Sequence, residues 1–387
     1  MLLRSGMSGT TQAASCLRIR SVEAIGLEER FAKPVDTPMS AIQSVVALLV
    51  VVQDDDGIEG WGEIWCNFPR FGIHHRARML QEVFAPALAG GTFESPGDAW
   101  TKLTAMSNVL RLQSGESGPV AAVIAGIDIA LHDLAAKRVG LPLWQMLGGT
   151  TGRVPVYASL GRAEDIRPGI VRAWDRGFRA FKVRSAGGIA NHVAVVRPVR
   201  ELIGPSCELM LDVNASWNPD DALATIHQLA PDRLAWLEEP IPVDASPAIW
   251  SALATAAPMP LAGGENMVTA PMFESALAGE ALAVLQPDIT KWGGFSGGLP
   301  LARRICAANR RFCPHMFTAA PGVLASAHLL AAVDSPDGVL EFGVTTNPLR
   351  DALLEGGPEE GVFKLPDAPG LGFAIDRSRL ERFRIAV

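Results

Sequence analysis

The chain has 387 residues, 48% of them hydrophobic and 19% charged, with a formal net charge of −7. That length exceeds one ordinary domain, although a closed parallel barrel alone uses about 250 residues. Like charges form no long runs, which argues against nucleic-acid binding, and the longest apolar run, Val45 to Val52, is far too short to span a bilayer.

Residues 1–16 are rich in Ser, Thr and Gly and lack a sustained apolar core, so they read as a disordered leader rather than a secretory signal. Five scattered cysteines without CxxC spacing read as reduced thiols, which favours a cytoplasmic setting. From Leu17 the pattern is strand-like: LRIRSVEAIGLEER alternates, a polar loop follows over Ala32 to Ser40, and SVVALLVVVQ makes a buried strand. The acidic turn DDDGIEG then leads into WGEIW as a hairpin would. Residues 76–147 carry helical patterns, closed by Gly140 with Pro142 two residues on, a helix stop signal. Residues 17–150 therefore read as an α+β unit.

After Gly148-Gly149 strands and helices alternate. Eight strands are expected near 154–160, 178–185, 208–213, 234–239, 260–264, 283–288, 311–315 and 339–342. Helices between them open with caps such as Asn218-Pro219 and Ser246-Pro247, where Pro lacks an N–H that would be orphaned at that position. The expected divisions are a barrel over 151–345 and a C-terminal segment, 346–387, that returns to the first unit.

Asp212, Glu238, Glu265, Asp288, His315 and Glu341 each close one of these strands, at steps of 26, 27, 23, 27 and 26 residues. That interval is one βα unit, and strand ends meet around one mouth of a parallel barrel. Singly, a carboxylate at a strand end is a helix cap or a solvated charge. Six in one phase make a polar site. Asp212, Glu238 and Glu265 come from successive strands, and three hard oxygen donors select Mg²⁺ or Mn²⁺ over zinc. A carboxylate such as Asp288 orients an imidazole such as His315 and makes it more basic, which suits a general base. FRAFKVRS puts Lys182 and Arg184 on one strand face, and Glu341, if kept protonated, would hydrogen-bond a developing oxyanion. The implied reaction removes a proton beside a carboxylate, with His315 as base and the cation and Lys182 holding the enediolate.

The chain resembles the enolase superfamily and, within it, the mandelate racemase subgroup. The likeness runs from about Leu17 through AGIDIALHDLAAKRVGLPLWQMLGG (residues 125–149), KVR, LDVN, WLEEP, GGEN, QPDITKWGG, PHMF and LEF. It implies an α+β capping domain over a modified (β/α)7β barrel. It also implies metal ligation by Asp212, Glu238 and Glu265, a dyad of Asp288 and His315, and a hydrogen-bonding acid at Glu341. By the same likeness Asn214 contacts the substrate's α-hydroxyl, capping loops near Ala32 to Ser40 and Trp65 to His75 confer specificity, and Arg70 and Arg76 are candidate contacts to a distal polar group.

One position departs. Many relatives carry Lys-x-Lys on the second strand, the second lysine serving as a base opposite the histidine, whereas this chain has Arg184. Arginine stays protonated and makes a clamp rather than a base. The expectation is therefore a Mg²⁺-dependent sugar-acid dehydratase acting on an aldonate or aldarate. A racemase, epimerase or cycloisomerase using the same enolate is the alternative. A Schiff-base aldolase through Lys182 and a non-catalytic sugar-acid binding protein stand further off. The expected partners are a small-molecule carboxylate and further copies of the chain, with no nucleic acid or membrane.

Overall fold

Aliphatic residues alternate with polar ones through Leu17 to Asp54, and that stretch forms two long antiparallel strands, β1 (Leu17–Asp36) and β2 (Ala41–Asp54). The computed structural model describes residues 16–36, 41–69, 71–161, 166–185, 187–333, 335–354, 356–373 and 375–387. The leader expected at 1–16 lies outside them except for Cys16. Of the polar loop expected at Ala32 to Ser40, residues 37–40 lie outside the described residues, and β1 continues to Asp36 with a register shift between Arg30 and Val35. Pro34 lies inside that shift and has no N–H to give to a ladder.

β3 (Glu59–Ile64) completes the hairpin on β2, the short β4 (Thr92–Phe93) pairs with β1, and all of these pairings are antiparallel. The helix Ser117–Val139 lies on β3 so closely that a Cβ at Gly62 would fall on the Gly126 carbonyl and one at Gly60 on the Ala130 carbonyl. This helix is long and apolar enough to cross a bilayer by composition alone. However, 83% of its most apolar window is buried inside the fold, where it is the core helix of the capping unit.

The second sheet runs through β5 (Arg153–Ser159), β6 (Ala180–Arg184), β7 (Glu208–Asp212), β8 (Trp236–Glu238), β9 (Leu261–Gly263), β10 (Val284–Leu285), β11 (Arg311–Phe312) and β12 (Leu340–Gly343). Its order is β11-β10-β9-β8-β7-β6-β5-β12, all parallel. Among the described residues an α-helix follows each of the first seven strands, giving the (β/α)7β arrangement. Tyr157, Met210, Trp236, Ala262, Val284 and Cys313 form one interior cluster with Ala180 and Val339 against it, so the apolar floor draws on β5 to β10 and on the residues beside β11 and β12. Side chains two residues further along β7 and β8 share that inward face, which is why Asp212 stands above Met210 and Glu238 above Trp236.

The C-terminal residues tie both sheets. β13 (Val362–Lys364) pairs antiparallel with β5, and β14 (Arg384–Ile385) with β1. Arg377 adds ion pairs to Glu23 and Glu59. Asp128, from the core helix of the capping unit, accepts hydrogen bonds from the Phe295 and Ser296 N–H groups at the start of the barrel helix Gly294–Ala307. Buried carboxylates on helix N-termini satisfy orphan donors and join the two units at the same point.

Candidate active site

All six strand-end residues are buried at one mouth of the barrel. Arg184, Asp212 and Glu238 stand side by side across β6, β7 and β8 in ladder register. The Lys182 ammonium, fully buried one layer down, is 2.6 Å from Glu238 Oε1, 3.0 Å from Glu341 Oε1 and 3.9 Å from Asp212 Oδ2. Arg184 donates from Nε to Asp212 Oδ2 and from Nη2 to Glu341 Oε1, both at 3.1 Å. Burial alone would lower the proton affinity of both cations, yet the surrounding carboxylates raise it above the ordinary value. Both are therefore charged at any working pH.

On the far side, His315 Nδ1 is 2.8 Å from Asp288 Oδ2 and its Nε2 is 2.8 Å from Glu265 Oε2. Burial opposes its charge, but Glu265 and Asp288 raise its pKa to about 10, so the ring is an imidazolium held between two carboxylates. The pairing with Asp288 is the one expected. The contact with Glu265 was not, because no histidine lies near Glu265 in sequence. Asp288 is fixed in turn by Thr290, whose N–H and hydroxyl donate to Asp288 Oδ1 at 2.8 and 2.6 Å.

Glu341 departs from expectation. The expected hydrogen bond to an oxyanion requires a protonated carboxyl. Burial does push its pKa up, but Lys182, His315 and Arg184 together bring it down to about 2, so it is an ionised acceptor. Asn214 donates from its N–H and Nδ2 to Asp212 Oδ1 and Oδ2 at 2.8 and 3.1 Å. Its φ of 47° places the chain in the left-handed region just past β7. Arg76 is buried rather than open to solvent, donating to the Gly72 carbonyl and lying 5.5 Å over the Trp65 ring. Arg70 lies outside the described residues.

The structure adds residues that the spacing argument missed. Glu239, next to Glu238 and at φ 41°, shares the Asn266 amide with Glu265, at 2.7 and 3.0 Å. Lys291 Nζ donates to Asn266 Oδ1 at 3.2 Å, is 3.8 Å from Glu265 Oε1 and 4.5 Å over the Trp65 ring. Gln286 and Trp236 donate to Glu238 Oε2 at 2.7 and 3.1 Å. Their signal was in plain view: all five lie inside or beside the quoted motifs, off the 26-residue period that drew attention to the others.

Charge tests whether a divalent cation fits. Asp212, Glu238, Glu239, Glu265, Asp288 and Glu341 face Lys182, Arg184, Lys291 and the His315 imidazolium, which leaves two negative charges in excess. Two carboxyls absorb the strain. Burial, with repulsion from neighbours that include Asp212 and Glu265, raises Glu238 to about 7 and Glu239 to about 8. A divalent cation supplies the same two charges without protons, and oxygen donors suit magnesium. Among the described residues no three His, Cys, Asp or Glu side chains already form a ligand cluster, since Lys182 sits on Glu238 and His315 on Glu265. The residues fit the ion in charge and donor type.

Residues 21–148 match the family profile of the mandelate racemase / muconate lactonizing enzyme N-terminal domain, and residues 166–379 match that of the enolase C-terminal domain-like family. The chain belongs to the enolase superfamily. Among curated members, D-galactarolactone cycloisomerase of Agrobacterium fabrum is 30% identical, covering 95% of this chain and 99% of that one. D-galactonate dehydratase of Pectobacterium atrosepticum is 30% identical over 69% of this chain and 71% of its own length. A mandelate racemase/muconate lactonizing enzyme from Bordetella bronchiseptica RB50 superposes with a TM-score of 0.89 at 44% identity, covering 95% and 99% of the two chains. A racemase from Streptomyces coelicolor with bound magnesium gives 0.84 at 28% identity, covering 95% and 100%. This member of the superfamily is an enzyme, and its relatives include both dehydratases and cycloisomerases of sugar acids.

Proposed function

We propose that the enzyme dehydrates a sugar acid, an aldonate or aldarate, to a 2-keto-3-deoxy acid. The observation that carries this reading is Arg184. It occupies the position where a second base would stand, and Asp212 and Glu341 hold it as a cation. Racemisation by proton exchange needs a base on each face of the α-carbon. Elimination needs one.

In this reading Asp212, Glu238 and Glu265 hold magnesium, which supplies the positive charge that stabilises an enediolate. Lys182 and Arg184 keep Glu238, Asp212 and Glu341 ionised and oriented, and they add positive charge beside the substrate carboxylate. Asp288 fixes the ring of His315 through Nδ1, and once Glu265 no longer faces Nε2 the imidazolium gives up that proton to solvent, so that neutral Nε2 can act as the base. Nε2 takes the α-proton as the Cα–H bond breaks. The β-hydroxyl then leaves with that proton as water, and the resulting enol tautomerises to the 2-keto acid. One imidazole serves both transfers.

Incubating the protein with Mg²⁺ and a library of aldonates and aldarates, with semicarbazide detection of keto acids, tests the proposal. No keto product from any open-chain acid counts against it. The second reading, a cycloisomerase, is favoured by the relative that matches along nearly the full chain. Turnover confined to sugar-acid lactones or anhydro acids, added to the same screen, would select it, because ring opening also needs only one base.

A further inference from the structure

We propose that β3 of the capping unit is the element that positions the Asp288–His315 pair, with Glu63 as its chief positioning residue. Alternate residues of a strand face opposite ways. Gly60, Gly62 and Ile64 pack on the helix Ser117–Val139, while Trp61 is clustered with Ala319 and Ala320 of the barrel. Glu63 and, just past the strand, Trp65 follow Trp61 toward the barrel, and each meets the chain that follows one member of the pair.

The Glu63 carboxylate accepts from the Ala319 N–H at 2.8 Å and the Gly322 N–H at 3.0 Å. These donors lie at the start of the helix Ala320–Val333, a few residues after His315. The Trp65 N–H donates at 3.4 Å to the carbonyl of Thr290, the residue whose hydroxyl and N–H hold Asp288. Beyond the strand, Asn67 Nδ2 donates to the Phe317 carbonyl, two residues past His315. The anchors also touch one another: a Cβ built at Gly322 would lie 3.0 Å from Thr290 Cγ2. One strand from outside the barrel therefore holds the carboxylate of the pair through Thr290 and the chain after the imidazole through Glu63 and Asn67. Glu63 is wholly buried and its carboxylate is held by the Ala319 and Gly322 N–H groups, so it acts on the pair through that chain and through its charge facing Asp288.

The inference rests on reading Asp288 and His315 as the proton-moving pair, but its test needs no turnover, so a failed substrate screen leaves it to be judged alone. The probe is the protein with ¹⁵N-labelled histidine and saturating Mg²⁺. The ring nitrogen shifts of His315 are read through its carbon-bound protons and assigned by their loss in His315→Asn. Glu63→Gln, which replaces one acceptor oxygen with a donor, is expected to shift or split those signals while near-UV circular dichroism stays native. Ser246→Ala, a distant helix-cap variant, is the control and is expected to leave them in place. Unmoved His315 signals in folded Glu63→Gln overturn the inference, as does an equal change in the control. If Glu63→Gln does not fold, Asn67→Ala is read in the same way, and unmoved signals there overturn it too.

Discussion

At the scale of single residues, the site is organised by which groups stay charged. His315 bridges two carboxylates, and Lys182 and Arg184 each bridge two or more. In the proposed reaction, removing the imidazole removes the proton carrier but little that binds substrate. His315→Asn should lower kcat by about 10²–10⁴-fold while ligand affinity, measured by calorimetry, changes little. Retained turnover would remove the base assignment. Arg184→Met should lower kcat/KM by about 10²–10³-fold, the usual loss for a preorganised charge beside a developing oxyanion. Arg184→Lys should keep more activity than Arg184→Met, because charge matters more at this position than the planar fork. Equal rates for the two variants would contradict the clamp role. The residue types at these positions were readable from the chain. The protonation of Glu341 was not, since it depends on three cations that arrive from two different strands, Lys182 and Arg184 on β6 and His315 just past β11.

At the scale of elements, the capping unit is held together by the close packing of β3 on its core helix Ser117–Val139. Gly62 has no space for a side chain, because the Gly126 carbonyl occupies the place of its Cβ. Gly62→Ala should therefore destabilise the protein by about 1–3 kcal/mol, the range for an overpacked site, as read by denaturant unfolding. An unchanged midpoint would show that the long helix can move away. All eight barrel strands lie where the alternation of apolar runs and capped helices put them, because parallel strands buried on both faces read as continuous apolar stretches. Asn218 and Ser246 cap the helices they were expected to cap, accepting from Asp221 N–H and Ile249 N–H. The extension of β1 was missed because Ala32 to Ser40 reads as a polar loop, while pairing with β2 resumes at Val35.

At the scale of the whole molecule, buried polar residues join the C-terminal segment to both units. His328, in the barrel helix Ala320–Val333, accepts from the Trp144 N–H at Nδ1 and meets the Leu371 carbonyl at Nε2, at 3.0 and 3.2 Å. Burial lowers its pKa to about 4, with the Leu371 hydrogen bond opposing. A depressed histidine contributes stability that is complete above the unfolded-state value of 6.5 and is lost as pH falls from there toward about 4. The span corresponds to about 3 kcal/mol at about 1.4 kcal/mol per unit. Unfolding free energy should thus fall across that window, and the slope should flatten in His328→Gln. A slope identical in the variant would assign the acid lability elsewhere. Magnesium should act in the opposite sense on the mouth, raising stability by about 2.7 kcal/mol at a hundredfold excess over Kd. Chelation should reverse the gain, and Asp212→Asn should abolish it in the same melting experiment.

The sequence by itself determined the order of elements, the barrel with its α+β cap, and the residue types at the mouth. These follow from periodicity and from the length of a βα unit, which are local properties of the chain. Only the tertiary structure decided which groups are charged and what each one faces. Lys182 lies on Glu238, His315 reaches Glu265 as well as Asp288, Glu239 and Lys291 join the cluster, and a strand of the cap holds the chain on either side of the dyad. Proton affinity and side-chain contact depend on burial and on neighbours far away along the chain, and no spacing within one strand or helix encodes them.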